Sequence, residues 1–238
     1  MAMTVLATRH EARTTTEKRS SWTTALLLVL CFVALTGVIA AVGWLLAHTL
    51  AHTFVGADDR SVERTLAAHR TRGWNDVTHL TTWLAETPTI TLLTLGVAVV
   101  ARVVWKRWRD FLFVAIAVIG ETKAFLVITM IVHRGRPPVP HLDPAPPTSS
   151  FPSGHTAASV AFYGALALLL SARVRRGLLT VLLWALAIVV PLTVAASRMY
   201  RGMHYPTDVA AGLVLGATWL TVVALLIGPW SRYERAGP

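Results

Sequence analysis

Two short stretches of the chain combine a histidine with the start of a helix, an arrangement suited to binding an anion. In the first, Pro152 and Ser153 precede Gly154 and His155, and an apolar run over 157–170 follows. Serine is a favoured N-cap, so a helix should begin here with His155 in its first turn. The free N–H groups and positive dipole end of such a helix attract phosphate. An ordinary capped helix with an interfacial histidine would have the same sequence, so a second group of residues is needed to identify an anion site.

The second stretch runs over 197–208 and has a similar layout. It begins with Ser197 and Arg198, and His204 stands just ahead of Pro206, a residue suited to the first turn of a helix. Asp208 follows His204 by four residues and can therefore reach back towards the imidazole. A carboxylate in that position would fix the histidine tautomer and support a developing positive charge.

A third block, over 133–138, contributes two arginines. Arg134 and Arg136 lie immediately before a run of prolines. Their guanidinium groups are forks that bind phosphate oxygens in pairs. We therefore expect a phosphate-binding site wherever the chain brings the three blocks together.

The composition predicts a membrane protein. The 238 residues are 54% hydrophobic and only 14% charged, which is too apolar for a soluble enzyme of this length. The net charge of +10 comes from Lys and Arg in short segments between apolar runs, so it indicates membrane topology rather than a nucleic-acid partner. The single cysteine, Cys31, excludes a disulfide framework and a cysteine-based metal site. His48 and His52 could share a metal ion, but no third ligand is near, and interfacial histidines are the commoner case.

Six apolar runs are long enough to cross a bilayer as helices. We predict an all-α, polytopic bundle with an N-terminal tail over 1–21, a six-span domain over 22–230 and a C-terminal tail over 231–238. The predicted spans are 24–50, 81–104, 111–132, 153–170, 178–196 and 207–227.

Three features lie outside this simple pattern. The segment 51–80 has mixed charges and is either an amphipathic segment on the membrane surface or a solvated loop. The segment 134–152 holds seven of the twelve prolines and should be a stiff, extended loop. Glu121 and Lys123 lie inside the third span, where charges are costly, and each should need a partner on another span.

Alternation of six spans places all the candidate site residues on one face of the membrane. Thirteen cations lie at the opposite ends, in the two tails and in the segments 102–109 and 173–176. An excess of Lys and Arg marks the cytoplasmic side. We therefore expect both termini to be cytoplasmic and the site to face outward from the cell membrane.

The chain resembles the type 2 phosphatidic acid phosphatase (PAP2) superfamily, whose members are lipid phosphate phosphatases related to vanadium haloperoxidases. The second family motif, P-S-G-H, is present as 152–155, and the third, S-R-x5-H-x3-D, is complete over 197–208. The first motif, K-x6-R-P, is present only as Arg136 and Pro137, with Thr129 in place of the lysine.

The resemblance implies a fold, a reaction and a role for each matched residue. It implies a PAP2-like bundle that hydrolyses phosphatidic acid, another lipid phosphate or an undecaprenyl-type diphosphate, with the lipid and the membrane as partners and no metal or other cofactor. His204 would be the nucleophile that forms a phosphohistidine, Asp208 would orient it, and His155 would be the general acid. The phosphoryl oxygens would be held by Arg136, Arg198, Ser153 and the Gly154 N–H.

Thr129 raises the question of which cation replaces the missing lysine. Lys123 is six residues earlier, about 240° around the helix and about 9 Å further from the loop, so we expect it not to substitute. Arg134 lies on the same loop as Arg136 and is the expected replacement.

Three other functions are compatible with parts of the sequence. A phosphotransferase could pass the phosphoryl group from the same histidine to another acceptor. An anion transporter would need its ligands near the membrane midplane, whereas these lie at span ends. Loss of the family lysine would also suit an inactive scaffold, although two intact motifs argue against it. The sequence leaves the lipid and the oligomeric state open.

Overall fold

The computed structural model describes residues 21–174 and 177–229, and these residues form eight α-helices and no β-strand. The predicted tails lie outside this part of the chain, apart from Ser21. In chain order the helices are α1 (Ser21–His48), α2 (Phe54–Ala68), α3 (Arg72–Trp83), α4 (Thr87–Val103), α5 (Trp108–Ile131), α6 (Gly154–Ser171), α7 (Leu178–Tyr200) and α8 (Pro206–Ile227).

Within the described residues, five segments are long and apolar enough to cross a membrane: Ser21–His52, Trp108–Ile131, Gly154–Ser171, Leu178–Tyr200 and Pro206–Ile227. A sixth is possible if α3 and α4, which meet at a 41° bend, are taken as one broken span. The predicted all-α membrane bundle is therefore confirmed. The second span is shorter than predicted, because α4 begins only at Thr87, with Pro88 in its first turn.

The segment predicted as one surface element is two helices, α2 and α3. A short 3₁₀ turn, Leu50–His52, joins α1 to α2. The α2 helix turns two acidic side chains inward, since Asp59 is 3% and Glu63 only 1% exposed. The segment therefore belongs to the scaffold of the site.

The α6 helix is central and packs against α5, α7 and α8. Its contact with α8 is close because two glycines face it. A Cβ atom on Gly212 would lie 2.6 Å from the Ser153 carbonyl oxygen, and one on Gly216 would lie 2.6 Å from the Ala157 carbonyl oxygen. The missing side chains let the start of α6, with His155, lie directly beside the start of α8.

The proline-rich segment between α5 and α6 contains no helix, as predicted. Two backbone hydrogen bonds hold it, one that joins its two ends and one near its middle. Ser150 N donates to Arg134 O (2.9 Å), and Leu142 N donates to Arg201 O (3.1 Å) beyond the end of α7. These bonds hold the loop over the end of the bundle where α6 and α8 begin.

Candidate active site

A cavity of about 950 Å³ lies under this loop and brings the three sequence blocks together. Five of the predicted site residues line it: Arg136, Gly154, His155, Arg198 and His204. The remaining walls come from α4, α5 and the loop. Three other predicted residues, Ser153, Asp208 and Arg134, lie behind the cavity wall and do not line it.

His204 stands in the tight connection between α7 and α8, where Gly202 adopts a positive φ of 76°. The imidazole is buried, and its Nδ1 atom lies 2.7 Å from the backbone carbonyl oxygen of Ser150. A carbonyl oxygen only accepts hydrogen bonds, so Nδ1 is the donor, and in the neutral imidazole Nε2 then carries the lone pair. Burial and the positive charges of Arg198 and Arg136 hold the pKa of His204 well below its ordinary value. The geometry thus provides a neutral imidazole with a free nucleophilic nitrogen.

The expected contact between Asp208 and His204 is not formed. The nearest oxygen of Asp208 lies 3.9 Å from His204 Nδ1, which is too long for a hydrogen bond. That oxygen instead accepts from the Tyr205 backbone N–H (2.9 Å), while the other accepts from Arg134 (2.5 Å). Asp208 therefore caps the first turn of α8, and the loop carbonyl orients the histidine.

The expected role of Arg134 as a phosphate ligand is also not supported. Its guanidinium is buried between two carboxylates, with contacts of 2.5 Å to Asp208 and 2.7 Å to Asp59 on α2. Asp59 also accepts from the Thr207 hydroxyl at 2.6 Å. Both carboxylates bind the Arg134 guanidinium, and Arg134 does not line the cavity. Arg134 therefore joins α2, the loop and α8.

Arg136 and Arg198 are the cations that reach the cavity. Arg136 donates to the Met203 carbonyl oxygen (2.8 Å), and Arg198 donates to Asp143 (2.8 Å). In each, the Nε atom is buried and has no hydrogen-bond partner among the described residues. Buried donors of charged groups are usually paired, and both arginines line the cavity, so an anion bound there is a fitting partner for them.

Asp143 is a site residue that the sequence analysis missed. It lies 2.8 Å from Arg198 and 2.6 Å from Arg201, and so fixes both arginines against the loop. Burial works to raise the pKa of Asp143, but the two arginines outweigh it and hold the pKa below its ordinary value. The available signal was that Asp143 is the only acidic residue in the segment 134–152.

His155 lies in the first turn of α6, as predicted, and faces the cavity. Its Nε2 atom is 3.5 Å from a carboxylate oxygen of Glu86, at the start of α4. Glu86 was not predicted, because nothing in its local sequence ties it to α6. A histidine that contacts both a carboxylate and the cavity is placed to carry a proton to a bound group.

The start of α6 differs in part from the prediction. Ser153 occupies the N-cap position, but its hydroxyl accepts from the Thr156 hydroxyl (3.0 Å) and its backbone N–H donates to Asp208 O (3.0 Å). The Ser153 side chain is fully buried and does not line the cavity. Gly154 does line the cavity, and a Cβ atom there would lie 2.9 Å from the Phe125 ring.

Ser197, the first residue of the third motif, uses its hydroxyl for hydrogen bonds to a neighbouring helix. Its hydroxyl lies 2.6 Å from Thr78 O and 2.7 Å from the Thr82 hydroxyl, both on α3. Ser197 therefore fastens α7 to α3 beside the arginine that follows it.

The deep wall of the cavity includes Lys123, and the expectation that Lys123 does not replace the missing lysine stays a prediction. Thr129, Lys123 and Glu121 all line the same cavity, because the cavity extends down the face of α5 instead of ending at the loop. Lys123 thus lines the cavity at a lower level than Thr129, six residues away along α5.

No group of three or more potential metal ligands occurs in the part of the chain that the structure describes. His48 stacks on the Trp44 ring, with ring centroids 4.8 Å apart, and its Nδ1 lies 3.0 Å from Trp44 O. The pair His48 and His52 thus has no third ligand among the described residues.

Together these features define a class: a multi-span helical membrane protein with a histidine–arginine anion cavity at one end of the bundle. The PAP2 superfamily model matches residues 89–232, which include every cavity residue from the three blocks. The chain belongs to this superfamily, and the resemblance drawn from the motifs is confirmed.

Curated relatives have phosphatase names. The chain is 32% identical over 126 residues to an undecaprenyl-diphosphatase of Sulfolobus acidocaldarius, covering 52% of this chain and 56% of that protein. It is 32% identical over 133 residues to a decaprenylphosphoryl-5-phosphoribose phosphatase of Mycobacterium tuberculosis, covering 55% of this chain and 68% of that protein. The chain thus spans little more than half the length of the Sulfolobus relative.

A solved structure has the same fold. The PAP2-type phosphatidylglycerolphosphate phosphatase of Bacillus subtilis superimposes with a TM-score of 0.72 over 87% of this chain and 96% of that one, at 23% identity. The shared architecture therefore extends beyond the residues that the family model matches.

Proposed function

We propose that this chain is a membrane phosphatase that removes the terminal phosphate of a lipid phosphate or polyprenyl diphosphate through a phosphohistidine on His204. The observation that carries the proposal is that Arg136 and Arg198 line one cavity with His204 and His155, and that each arginine has a buried Nε atom without a hydrogen-bond partner among the described residues. Two unsatisfied guanidinium donors beside a neutral imidazole match the needs of a phosphoryl group undergoing transfer.

The first half of the reaction forms a covalent intermediate. The lone pair of His204 Nε2 attacks phosphorus, and the bond between phosphorus and the lipid oxygen breaks. That oxygen takes a proton from His155, which lines the same cavity and contacts Glu86. Arg136 and Arg198 stabilise the equatorial oxygens as charge shifts to the leaving group.

The second half releases inorganic phosphate. Water attacks phosphorus, the phosphorus–nitrogen bond breaks, and the electron pair returns to His204 Nε2. The proton of the water passes to His155, which restores the starting state of both histidines. The Ser150 carbonyl keeps the Nδ1 proton in place throughout, so His204 keeps one tautomer.

We also propose that the cavity faces outward and that both termini are cytoplasmic. The thirteen Lys and Arg residues of the tails and of the segments 102–109 and 173–176 support this orientation. A cavity at the outer surface suits a lipid whose phosphate group is exposed on that leaflet.

The test is release of inorganic phosphate by the purified chain from phosphatidate, phosphatidylglycerol phosphate and a polyprenyl diphosphate. His204→Ala should lower kcat by several orders of magnitude, as expected when a nucleophile is removed. His133→Ala is the matched control, because His133 is exposed and lies outside the cavity. No release from any lipid, or equal release by wild type and His204→Ala, would refute the proposal.

A further inference from the structure

The lower part of the cavity holds two ionisable residues, Glu121 and Lys123, that the proposed reaction does not use. Glu121 is 1% exposed, and its Oε1 atom has no hydrogen-bond partner among the described residues. Its Oε2 atom has one distant contact, from the Thr122 hydroxyl at 3.5 Å. Lys123 lines the same cavity, is exposed, and forms no ion pair in the described part of the chain.

Such groups are costly within a membrane span. Ionisable side chains at this depth usually pair with each other, line a polar pathway or bind a ligand. A buried polar atom without a partner carries a desolvation penalty that a ligand could remove. Glu121 and Lys123 are two residues apart on α5 and are not paired, so a bound group is the physical explanation that both share.

The order of residues along α5 matches the order of groups in a phospholipid. Thr129 lies beside the phosphate site at the outer end, and Lys123 follows about 9 Å lower, six residues at 1.5 Å each. Below this level the α5 side of the cavity is lined by Val118 and Ile119. A ligand that fills the cavity thus meets an anion site, then a polar pair, and then an apolar wall.

We propose that Glu121 and Lys123 form a second headgroup subsite, which binds a phosphodiester and an adjacent polyol hydroxyl of the lipid substrate. This inference rests on the proposed function. The Lys123 ammonium would bind the phosphodiester, and the Glu121 carboxyl would accept a hydrogen bond from the hydroxyl.

The spacing decides which lipids can use both sites. Two phosphates joined directly share a bridging oxygen, so they are too close to occupy sites about two turns of α5 apart. Two phosphates separated by a glycerol or a sugar can span that distance. The favoured substrate class is therefore a lipid with a terminal phosphate on a polyol that a phosphodiester links to the hydrocarbon.

The test compares kcat/KM for phosphatidylglycerol phosphate with kcat/KM for phosphatidate of the same acyl chains. The ratio of the two values isolates the contribution of the second phosphate and the glycerol to kcat/KM. Lys123→Met should lower the ratio at least tenfold, Lys123→Arg should restore most of it, and Glu121→Leu should lower it as well. Lys106→Met is the matched control, since Lys106 lies outside the cavity, in the connection between α4 and α5.

The outcomes separate this inference from the proposed function. If Lys123→Met and Glu121→Leu leave the ratio within twofold of wild type, the subsite is refuted while the phosphatase stands. If the wild type favours phosphatidate or the polyprenyl diphosphate over phosphatidylglycerol phosphate, the substrate class is refuted. If the wild type releases phosphate from none of them, the proposed function itself fails.

Discussion

The Nδ1 atom of His204 donates a hydrogen bond to the backbone carbonyl oxygen of Ser150, 2.7 Å away. The bond joins the connection before α8 to the proline-rich loop, 54 residues apart in sequence. Because the acceptor is a backbone atom, any side chain at position 150 could provide it. What the sequence must specify instead is the path of the loop, which places that carbonyl behind the imidazole.

The path of the loop depends on Arg134, and we predict that Arg134→Ala mainly lowers stability. The substitution leaves the Asp59 and Asp208 carboxylates buried without their common partner. Breaking a buried ion pair in this way costs about 3–5 kcal/mol. Thermal unfolding in detergent, followed by tryptophan fluorescence, should show a clear fall in Tm. The exposed Arg72 provides the control substitution, Arg72→Ala.

An alternative outcome would restore the role that the sequence suggested for Arg134. If Arg134→Ala unfolds like wild type but raises KM at least tenfold, Arg134 binds phosphate directly and the arrangement of the loop described here is wrong.

The buried carboxyl of Glu63 should make the stability of the protein depend on pH. Burial, followed by the nearby charge of Asp208, raises the pKa of Glu63 from 4.5 to about 8. A carboxyl whose pKa is raised on folding contributes stability that is complete below about pH 4.5 and is lost as the pH rises through about 8. Glu63→Gln should therefore flatten the decline of Tm over this interval and raise Tm at pH 8. An unchanged slope would show that Glu63 is ionised in the folded protein.

The orientation in the membrane can be tested in whole cells. Ala145 is exposed on the proline-rich loop, and Cys31 is the chain's one natural cysteine. With Ala145→Cys in a Cys31→Ser background, an impermeant thiol reagent should label intact cells. Labelling that appears only after lysis would place the cavity on the cytoplasmic side.

The sequence predicted the elements and the convergence of the three blocks, because both depend on local signals. Apolar length located the spans, and motif spacing located His155, Arg198 and His204 at span ends. The 41° bend between α3 and α4 and the inward face of α2 were not predictable, since mixed charge alone does not show which side chains are buried. In particular, the local sequence predicts a solvated charge for Asp59, and only the structure shows that Arg134 lies beside it.

The errors in the site arise from side-chain direction and from loop path. Asp208 is four residues after His204, a spacing that favours contact within a helix, but His204 precedes α8 and lies outside that geometry. Lys123 was judged too far from the loop to replace the missing lysine, and the sequence did not show that the cavity continues down α5 as far as Lys123. Asp143 and Glu86 reach the site only through tertiary packing. Asp143 is the only acidic residue of the segment 134–152, but that signal does not identify its arginine partners, and Glu86 has no local signal.

The most direct test of the account is whether phosphate becomes attached to His204 during turnover. The purified chain would be mixed with a lipid labelled in its terminal phosphate, denatured within milliseconds at alkaline pH, and analysed for protein-bound label. We predict an alkali-stable, acid-labile phosphohistidine in the wild type and in His133→Ala, and none in His204→Ala. Label that persists in His204→Ala, or phosphate release by a wild type that never carries label, would contradict the central claim.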